Sequence, residues 1–203
     1  MRTGARAARA LALIVLAISL AGCFAGVPNV RGDAGLGTVT MPHGTNNRTD
    51  GMGSLRAGWF PAQLFDSASG RSFDVGGGYG YDAGEGFELH TAYAEVDMNR
   101  KLGSARKSPV MSFGVAPRLV WDGIHDKSGG GAALRVSIDL TSDFIHEYST
   151  HSGEGAYSAF GAHGQMSFGF YAEGSFVSMG PWAFATATAG VTCRLPAMGF
   201  VVF

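Results

Sequence analysis

Apolar and polar residues alternate with a period of two over much of the chain after Gly53. The clearest case is the segment 132–141, in which Leu134, Val136, Ile138 and Leu140 alternate with Arg135, Ser137, Asp139 and Thr141. The same alternation runs through 72–81, through 109–122 and through 87–93, where Phe87, Leu89 and Tyr93 share one face and Glu88, His90 and Ala92 share the other. A period of two is the spacing of a β-strand whose two faces meet different surroundings. The pattern predicts strands.

Turn-forming residues separate these segments, at 66–70, 82–86, 103–104, 128–131 and 152–155. No stretch carries the apolar spacing of an amphipathic helix, so we predict an all-β, antiparallel, up-and-down β-barrel. The preferred count is eight strands. The segment 157–178 fits either one long strand or two, 182–194 is a further strand, and 197–203 is a candidate for the last one.

The less apolar face of the strands is built mainly of Gly, Ala and Ser and carries few charges. Those charges are Arg56, Asp74, Glu88, Arg118, Arg135, Asp139, Glu173 and Arg194. They are too few to solvate the outside of a soluble barrel but suffice for a paired network inside a narrow one. We therefore predict a membrane-spanning barrel with a polar lumen. The alternative is a soluble periplasmic barrel or sandwich with the faces reversed, which binds a small apolar ligand inside.

Aromatic residues lie near the predicted strand ends. They are Trp59, Phe60, Phe73, Tyr81, Trp121, Tyr171 and Trp182. Two interfacial girdles of a membrane barrel would place aromatic rings there, whereas a soluble sandwich would use them as core.

The amino terminus has the three parts of an export signal: the arginines Arg2, Arg6 and Arg9, an uncharged apolar run over 11–20, and a small-residue end. Ten residues of helix reach about 15 Å, half of a hydrocarbon core of about 30 Å, so a permanent transmembrane helix is the weaker interpretation. We expect residues 1–22 to be removed.

The end of this segment, Leu20-Ala21-Gly22-Cys23, resembles the lipobox of bacterial lipoproteins. The resemblance implies cleavage before Cys23 by the lipoprotein-processing machinery and covalent attachment of acyl chains, including palmitate, to that residue. Three acyl chains anchor a protein stably to membrane lipid. Phe24 follows where lipoproteins retained in the inner membrane often carry Asp, so the resemblance points to the outer membrane.

Residues 23–51 are rich in Gly, Asn, Thr and Pro without a clear period, and we expect a flexible tether there, followed by the barrel domain over 52–203. The tether includes Arg31-Gly32-Asp33, a cell-adhesion tripeptide that we interpret as coincidence.

The carboxyl end, Gly199-Phe200-Val201-Val202-Phe203, resembles the ending of outer-membrane β-barrel proteins. In that family the terminal strand is recognised by the barrel-insertion machinery, which implies that Phe203 is an assembly signal. Leu195 and Val201 fit the pattern, whereas Pro196 interrupts the strand.

Charge and cysteine content exclude several classes of function. Three of the 15 basic residues lie in the export signal, which leaves 12 against 16 acidic residues and no basic patch for nucleic acid. Cys23 and Cys193 are the only cysteines, so neither a disulfide framework nor a cysteine-rich zinc site is expected. Cys193 lies at an apolar position of its strand, where a small hydrophobic residue is expected rather than a nucleophile.

Catalytic and metal-binding patterns are weak. His146 and His151 are five residues apart, one more than a zinc-protease helix requires. A minor alternative is a cation site in the loop that contains Asp122, His125 and Asp126. Another is a serine hydrolase that uses His90 or His163, although no Gly-x-Ser-x-Gly elbow is present. Gly76-Gly77-Gly78 lies within a strand and indicates close packing or a bulge rather than a phosphate loop. We predict a non-enzymatic protein of structural or interactive role, with no metal and no cofactor beyond the lipid on Cys23.

Overall fold

A computed structural model of the chain describes residues 24–27, 29–43, 46–66, 71–104, 108–153 and 156–202. These residues form ten β-strands. The strands are β1 (Phe24–Val27), β2 (Val30–His43), β3 (Asn46–Asp66), β4 (Arg71–Gly84), β5 (Phe87–Lys101), β6 (Val110–Asp122), β7 (Lys127–Gly153), β8 (Ala156–Met179), β9 (Trp182–Leu195) and β10 (Ala197–Val202). The described residues contain no helix with the length and apolar character needed to cross a membrane.

Strands β2 to β9 form a closed barrel in which each strand pairs antiparallel with the next along the chain. Closure comes from β2, which pairs with β3 on one side and with β9 on the other. Because every strand of the ring has two neighbours, its backbone N–H and C=O groups are bonded within the sheet and no edge remains. The predicted all-β, eight-stranded, up-and-down barrel is confirmed.

The barrel is narrow because it has only eight strands, and its register is strongly staggered. Gly130 of β7 pairs directly with Ser178 of β8, but the path of paired residues around the other seven strands returns to β8 at Phe168, ten residues away. That path runs through Leu119, Ala92, Tyr79, Ala57, Gly32 and Cys193. A stagger of this size in eight strands tilts them by about 40° and leaves an interior that side chains can fill.

The two ends of the barrel differ, and we name them by what lies there. The terminal end holds the start of β2 and the end of β9, where Val30 pairs with Leu195. The turn end holds the described short connections at 85–86, 123–126 and 180–181, together with the end of β2 at His43 and the start of β3 at Asn46. Gly86 and Gly180 have φ values of 78° and 61° there, which is the left-handed region that glycine adopts without steric cost.

The expected tether over 23–51 is wrong for the part that forms β2 and the start of β3. Its small residues fit a strand held from both sides, since Leu36 pairs with both Gly53 and Ala189. The predicted count of eight barrel strands is therefore correct, but the set of strands differs from the expected one. Strand β2 closes the ring, and the carboxyl-terminal segment does not. The segment 157–178 is part of one long strand, β8.

The sheet continues beyond the barrel at the terminal end. Strands β7 and β8 stay paired as far as Gly153 and Ala156. The short strand β10 pairs with the first part of β8, and β1 pairs with β10. This extension brings the strand that begins at Phe24 next to the strand that ends at Val202.

The glycine run of β4 lies where β3 and β4 approach closely, next to a register shift between Trp59 and Ala62. A Cβ atom on Gly76 would collide with the Trp59 carbonyl oxygen, and one on Gly78 would lie 2.7 Å from the Tyr93 hydroxyl oxygen. Side chains larger than hydrogen are excluded at both positions. The prediction of close packing at a glycine run within a strand is confirmed.

Candidate functional site

Apolar side chains face outward from the barrel and form a continuous belt. Leu134 is 67% exposed and Ile138 is 38% exposed, whereas Arg135 between them is 3% exposed and Asp139 is fully buried. The outward-facing described positions of all eight barrel strands carry no Asp, Glu, Lys or Arg between the two ends. The predicted orientation of the segment 132–141 is confirmed, as is that of Met111 to Trp121.

The belt has the height of a membrane barrel's apolar band. On β6 it runs from Met111 to Trp121, ten residue intervals along a tilted strand, which corresponds to about 25 Å along the barrel axis. Exposed charges of the described residues begin only at its margins. At the terminal end these are Arg71, Arg100 and Lys101, and at the turn end they include Arg48, Glu85, Glu88, Asp126 and Lys127.

Charged side chains fill the lumen near the terminal end, in what we call the terminal-side cluster. Its members are Arg31, Asp33, Asp74, Glu95, Asp97, Arg135, Asp139 and Arg194, all buried. Arg194 donates to Asp74 at 2.7 Å and lies 3.5 Å from Asp139. Arg135 holds both carboxylate oxygens of Asp33, at 2.6 and 2.9 Å. These forked contacts match the planar guanidinium to the carboxylate.

A second group, the middle cluster, lies deeper in the lumen and consists of Arg56, Asp82, Arg118 and Glu173. Arg118 lies 2.6 Å from Glu173, and Arg56 pairs with the same carboxylate. Arg56 is also 3.8 Å from Asp82. Two arginines and two carboxylates balance each other here, so the middle cluster carries no net charge.

Toward the turn end the lumen becomes apolar. The buried side chains of this apolar layer are Val39, Met52, Phe87, Leu89, Val120, Val177, Met179 and Phe184. Six of the eight barrel strands contribute to it, so the layer reaches the lumen from most sides at that level. Together with the two ion-pair clusters it places buried side chains along the described lumen.

Seven of the eight residues expected in a lumen network lie in the lumen and form ion pairs there; Glu88 does not. The assignment of faces over 87–93 is wrong, because Phe87, Leu89 and Tyr93 are buried inside while Glu88 and His90 face outward. Phe87 and Leu89 belong to the apolar layer. At that end of β5, therefore, apolar side chains face the lumen and polar side chains face outward. Glu88 lies outside the lumen, 3.5 Å from His90.

Sequence reasoning missed five charged members of the lumen: Arg31, Asp33, Asp82, Glu95 and Asp97. The sequence contains a signal for them, because residues two apart on a strand share a face. Glu95 and Asp97 lie at odd positions of β5, as Leu89 does, and Arg31 and Asp33 are two residues apart. The tripeptide Arg31-Gly32-Asp33 has both charged side chains inside the barrel, which supports its interpretation as a coincidence.

The aromatic residues divide between the two faces. Trp59, Phe73, Trp121 and Trp182 are exposed on the outside and Tyr81 is partly exposed, in agreement with a girdle position. The expectation is wrong for Phe60 and Tyr171, which are 2% and 3% exposed and face the lumen. The Arg31 guanidinium lies 4.6 Å from the centre of the Phe60 ring, and that of Arg135 lies 4.3 Å from the centre of the Tyr171 ring. Both rings serve as platforms for lumen arginines.

The outer surface at the turn end carries an aromatic group around His90. Its imidazole stacks on Trp121, with ring centres 5.5 Å apart, and bonds the Tyr79 hydroxyl. Nearby, the Lys127 ammonium lies 3.0 Å from the centre of the Trp182 ring. The described partners of His90 are therefore these aromatic side chains and Glu88.

The candidate cation site at Asp122 has a structural role. Its carboxylate accepts hydrogen bonds from the backbone N–H groups of Ile124 and His125, at 2.9 and 3.2 Å, and lies 2.7 Å from His125 Nδ1. These contacts shape the turn in which Asp126 adopts a φ of 51°. Among the described side chains, no group of three or more His, Cys, Asp or Glu is arranged to hold a metal ion.

Several predicted positions lie outside the described part of the chain. They are the export signal, Cys23 and Phe203, together with the side chains of His146, His151 and His163. Cys193 is described and faces outward from β9, in the belt.

Comparison with known proteins gives matches only among solved structures. No protein-family model matches the chain, and no curated protein matches it. The crystal structure of Neisserial surface protein A (NspA) covers 83% of this chain and 98% of its own, with a TM-score of 0.37 and 9% sequence identity. A likeness at this identity and TM-score identifies no family.

Proposed function

We propose that this protein is a non-enzymatic lipoprotein of the outer membrane whose eight-stranded barrel spans the bilayer and has a structural or interactive role. The observation that carries the proposal is the charge-free apolar belt on the outside of a closed barrel whose interior holds the ion pairs. A bilayer accepts that arrangement, since it leaves no backbone group and no charge facing hydrocarbon.

The extent of the belt argues against water as its surroundings. The described residues include 25 large hydrophobic side chains that are exposed on the outside or at the ends, among them Leu36 at 77% and Leu119 at 67%. Water-soluble monomers rarely expose apolar patches of more than a few hundred square ångströms. A barrel that binds an apolar ligand inside is not favoured, because ion pairs occupy the described lumen over most of its length.

The lipid on Cys23 is the second part of the proposal and depends on the lipobox-like sequence Leu20-Ala21-Gly22-Cys23. The partners that follow are membrane lipid, the lipoprotein-processing machinery and, through Phe203, the barrel-insertion machinery. The barrel and the lipid would then give the protein two attachments to the same membrane.

Metabolic labelling with palmitate tests the lipid. The wild-type chain should incorporate label, Cys23→Ser should lose it, and Cys193→Ser should keep it. Label that persists in Cys23→Ser, or its absence from the wild type, contradicts the lipid assignment.

Solution behaviour tests the barrel separately from the lipid. The chain from residue 24 onward, without signal and acyl chains, should require detergent to remain dispersed, because the belt alone drives association in water. A monodisperse sample in buffer without detergent would contradict the spanning barrel and leave the lipid assignment untouched.

A further inference from the structure

Two buried carboxylates of the terminal-side cluster converge on one glycine. Glu95 and Asp97 are two residues apart on β5 and face the lumen, and Asp97 pairs with Gly114 of β6. A Cβ atom on Gly114 would lie 2.7 Å from Glu95 Oε1 and would collide with Asp97 Oδ1. Gly114 therefore leaves the space into which both oxygens point.

Among the described residues these two oxygens find no hydrogen-bond partner, although the side chains that carry them are only 3% and 1% exposed. The other oxygen of each carboxylate is held by Arg31, whose Nη1 donates to Asp97 Oδ2 at 2.6 Å and whose Nη2 donates to Glu95 Oε2. Arg31 thus orients the pair and turns the two remaining oxygens toward Gly114.

The charge of the terminal-side cluster is also unbalanced. Of the described side chains it has three arginines, Arg31, Arg135 and Arg194, against five carboxylates, whereas the middle cluster has two of each. Uncompensated charge in a lumen of low dielectric constant is costly, so the cluster favours uptake of positive charge. The excess corresponds to one divalent ion.

We propose that Glu95 and Asp97 form a binding site for one hard divalent cation, of the Mg²⁺ or Ca²⁺ class, over Gly114 in the lumen. Carboxylate oxygens are the ligands these ions prefer, and Mg²⁺ in particular is commonly held by one or two carboxylates while it keeps several waters. Among the described side chains no group of three or more His, Cys, Asp or Glu is arranged to hold a metal ion, so the proposed site has two protein ligands. The proposal does not depend on whether the belt faces lipid.

Ion binding and stability test this site on the full folded chain in detergent micelles, after removal of metals with a chelator. Equilibrium dialysis against Mg²⁺ or Ca²⁺ should give one ion per wild-type chain. The thermal unfolding midpoint should rise with ion concentration and level off, because a ligand that binds only the folded state stabilises it by mass action.

Three variants separate the site from other acidic groups. The double variant Glu95→Gln, Asp97→Asn should lose the bound ion. Gly114→Ala keeps both carboxylates but fills the space between them, and should weaken binding by about tenfold or more. Glu88→Gln, which removes a carboxylate on the outer surface, should bind as the wild type does.

The following results would overturn the proposal. Absence of a bound ion in the wild-type dialysis overturns the proposal without any variant, and so does an ion that remains in the double variant. If the thermal unfolding midpoint changes with pH but not with Mg²⁺ or Ca²⁺, bound protons neutralise the excess negative charge. That result also overturns the proposal.

Discussion

The two ends of the lumen are filled by side chains of different chemistry. Near the terminal end the interior is filled by arginines and carboxylates, as in the contacts of Arg194 with Asp74 and Asp139. Near the turn end it is filled by apolar side chains such as Leu89, Val120 and Val177. Both fillings place buried side chains in the lumen, but only the ion pairs make each residue depend on the charge of another.

The difference predicts how each end responds to the loss of one side chain. Removal of an arginine leaves buried carboxylates without compensation, so the cost includes their desolvation. Removal of an apolar side chain leaves a cavity, whose cost depends on how far the neighbours relax. The terminal-side cluster should therefore be the more sensitive of the two.

The largest effect is expected for Arg194→Met, which keeps most of the side-chain volume and removes the charge that faces Asp74, Asp97 and Asp139. The free energy of unfolding in detergent should fall by roughly 3–5 kcal/mol. Urea titration with tryptophan fluorescence measures it. A loss below about 1 kcal/mol would show that these ion pairs are not what stabilises the terminal end.

An intermediate effect is expected for Leu89→Ala in the apolar layer, where the side chain is 2% exposed. The same titration should show a loss of about 3 kcal/mol. The matched control is Leu134→Ala on the belt, where the side chain is 67% exposed and the change should stay within about 0.5 kcal/mol. Equal losses for the two leucines would contradict the assignment of inside and outside.

The smallest effect is expected at the outer surface of the turn end. Lys127→Ala removes the cation that lies over the Trp182 ring and should cost about 0.5–1 kcal/mol. The fluorescence maximum of Trp182 should also shift, which a Trp182→Phe background would abolish. An unchanged spectrum together with unchanged stability would mean that the ring and the ammonium do not interact in solution.

The sequence predicts the strands whose faces differ strongly. In β7 the outward residues Leu134, Val136 and Ile138 are large while Arg135 and Asp139 are charged, so alternation alone assigns both faces. In β5 the same reasoning fails, because Phe87 and Leu89 lie inside with the apolar layer. Glu95 and Asp97 lie at odd positions, as Phe87 and Leu89 do. An alternation pattern followed as far as these two charged residues predicts the right orientation.

Strand β2 shows the other limit of sequence reasoning. Its outward residues Gly32 and Ala34 are small, and a chain of this composition is also typical of a linker. It is a strand because β3 and β9 offer it hydrogen bonds from both sides, and β9 lies about 150 residues further along the chain. The partners of the lumen charges depend on the same long-range closure, as in the pair of Arg135 with Asp33.

The most direct test of the account asks which side chains of β7 meet lipid. Single cysteines at positions 135, 136, 137 and 138, in a Cys193→Ser background, would carry a fluorophore in protein reconstituted into vesicles with a lipid-soluble quencher. The account predicts quenching at 136 and 138, where Val136 and Ile138 face outward, and protection at 135 and 137, where Arg135 and Ser137 are buried. Equal protection at all four positions would contradict a membrane-spanning barrel.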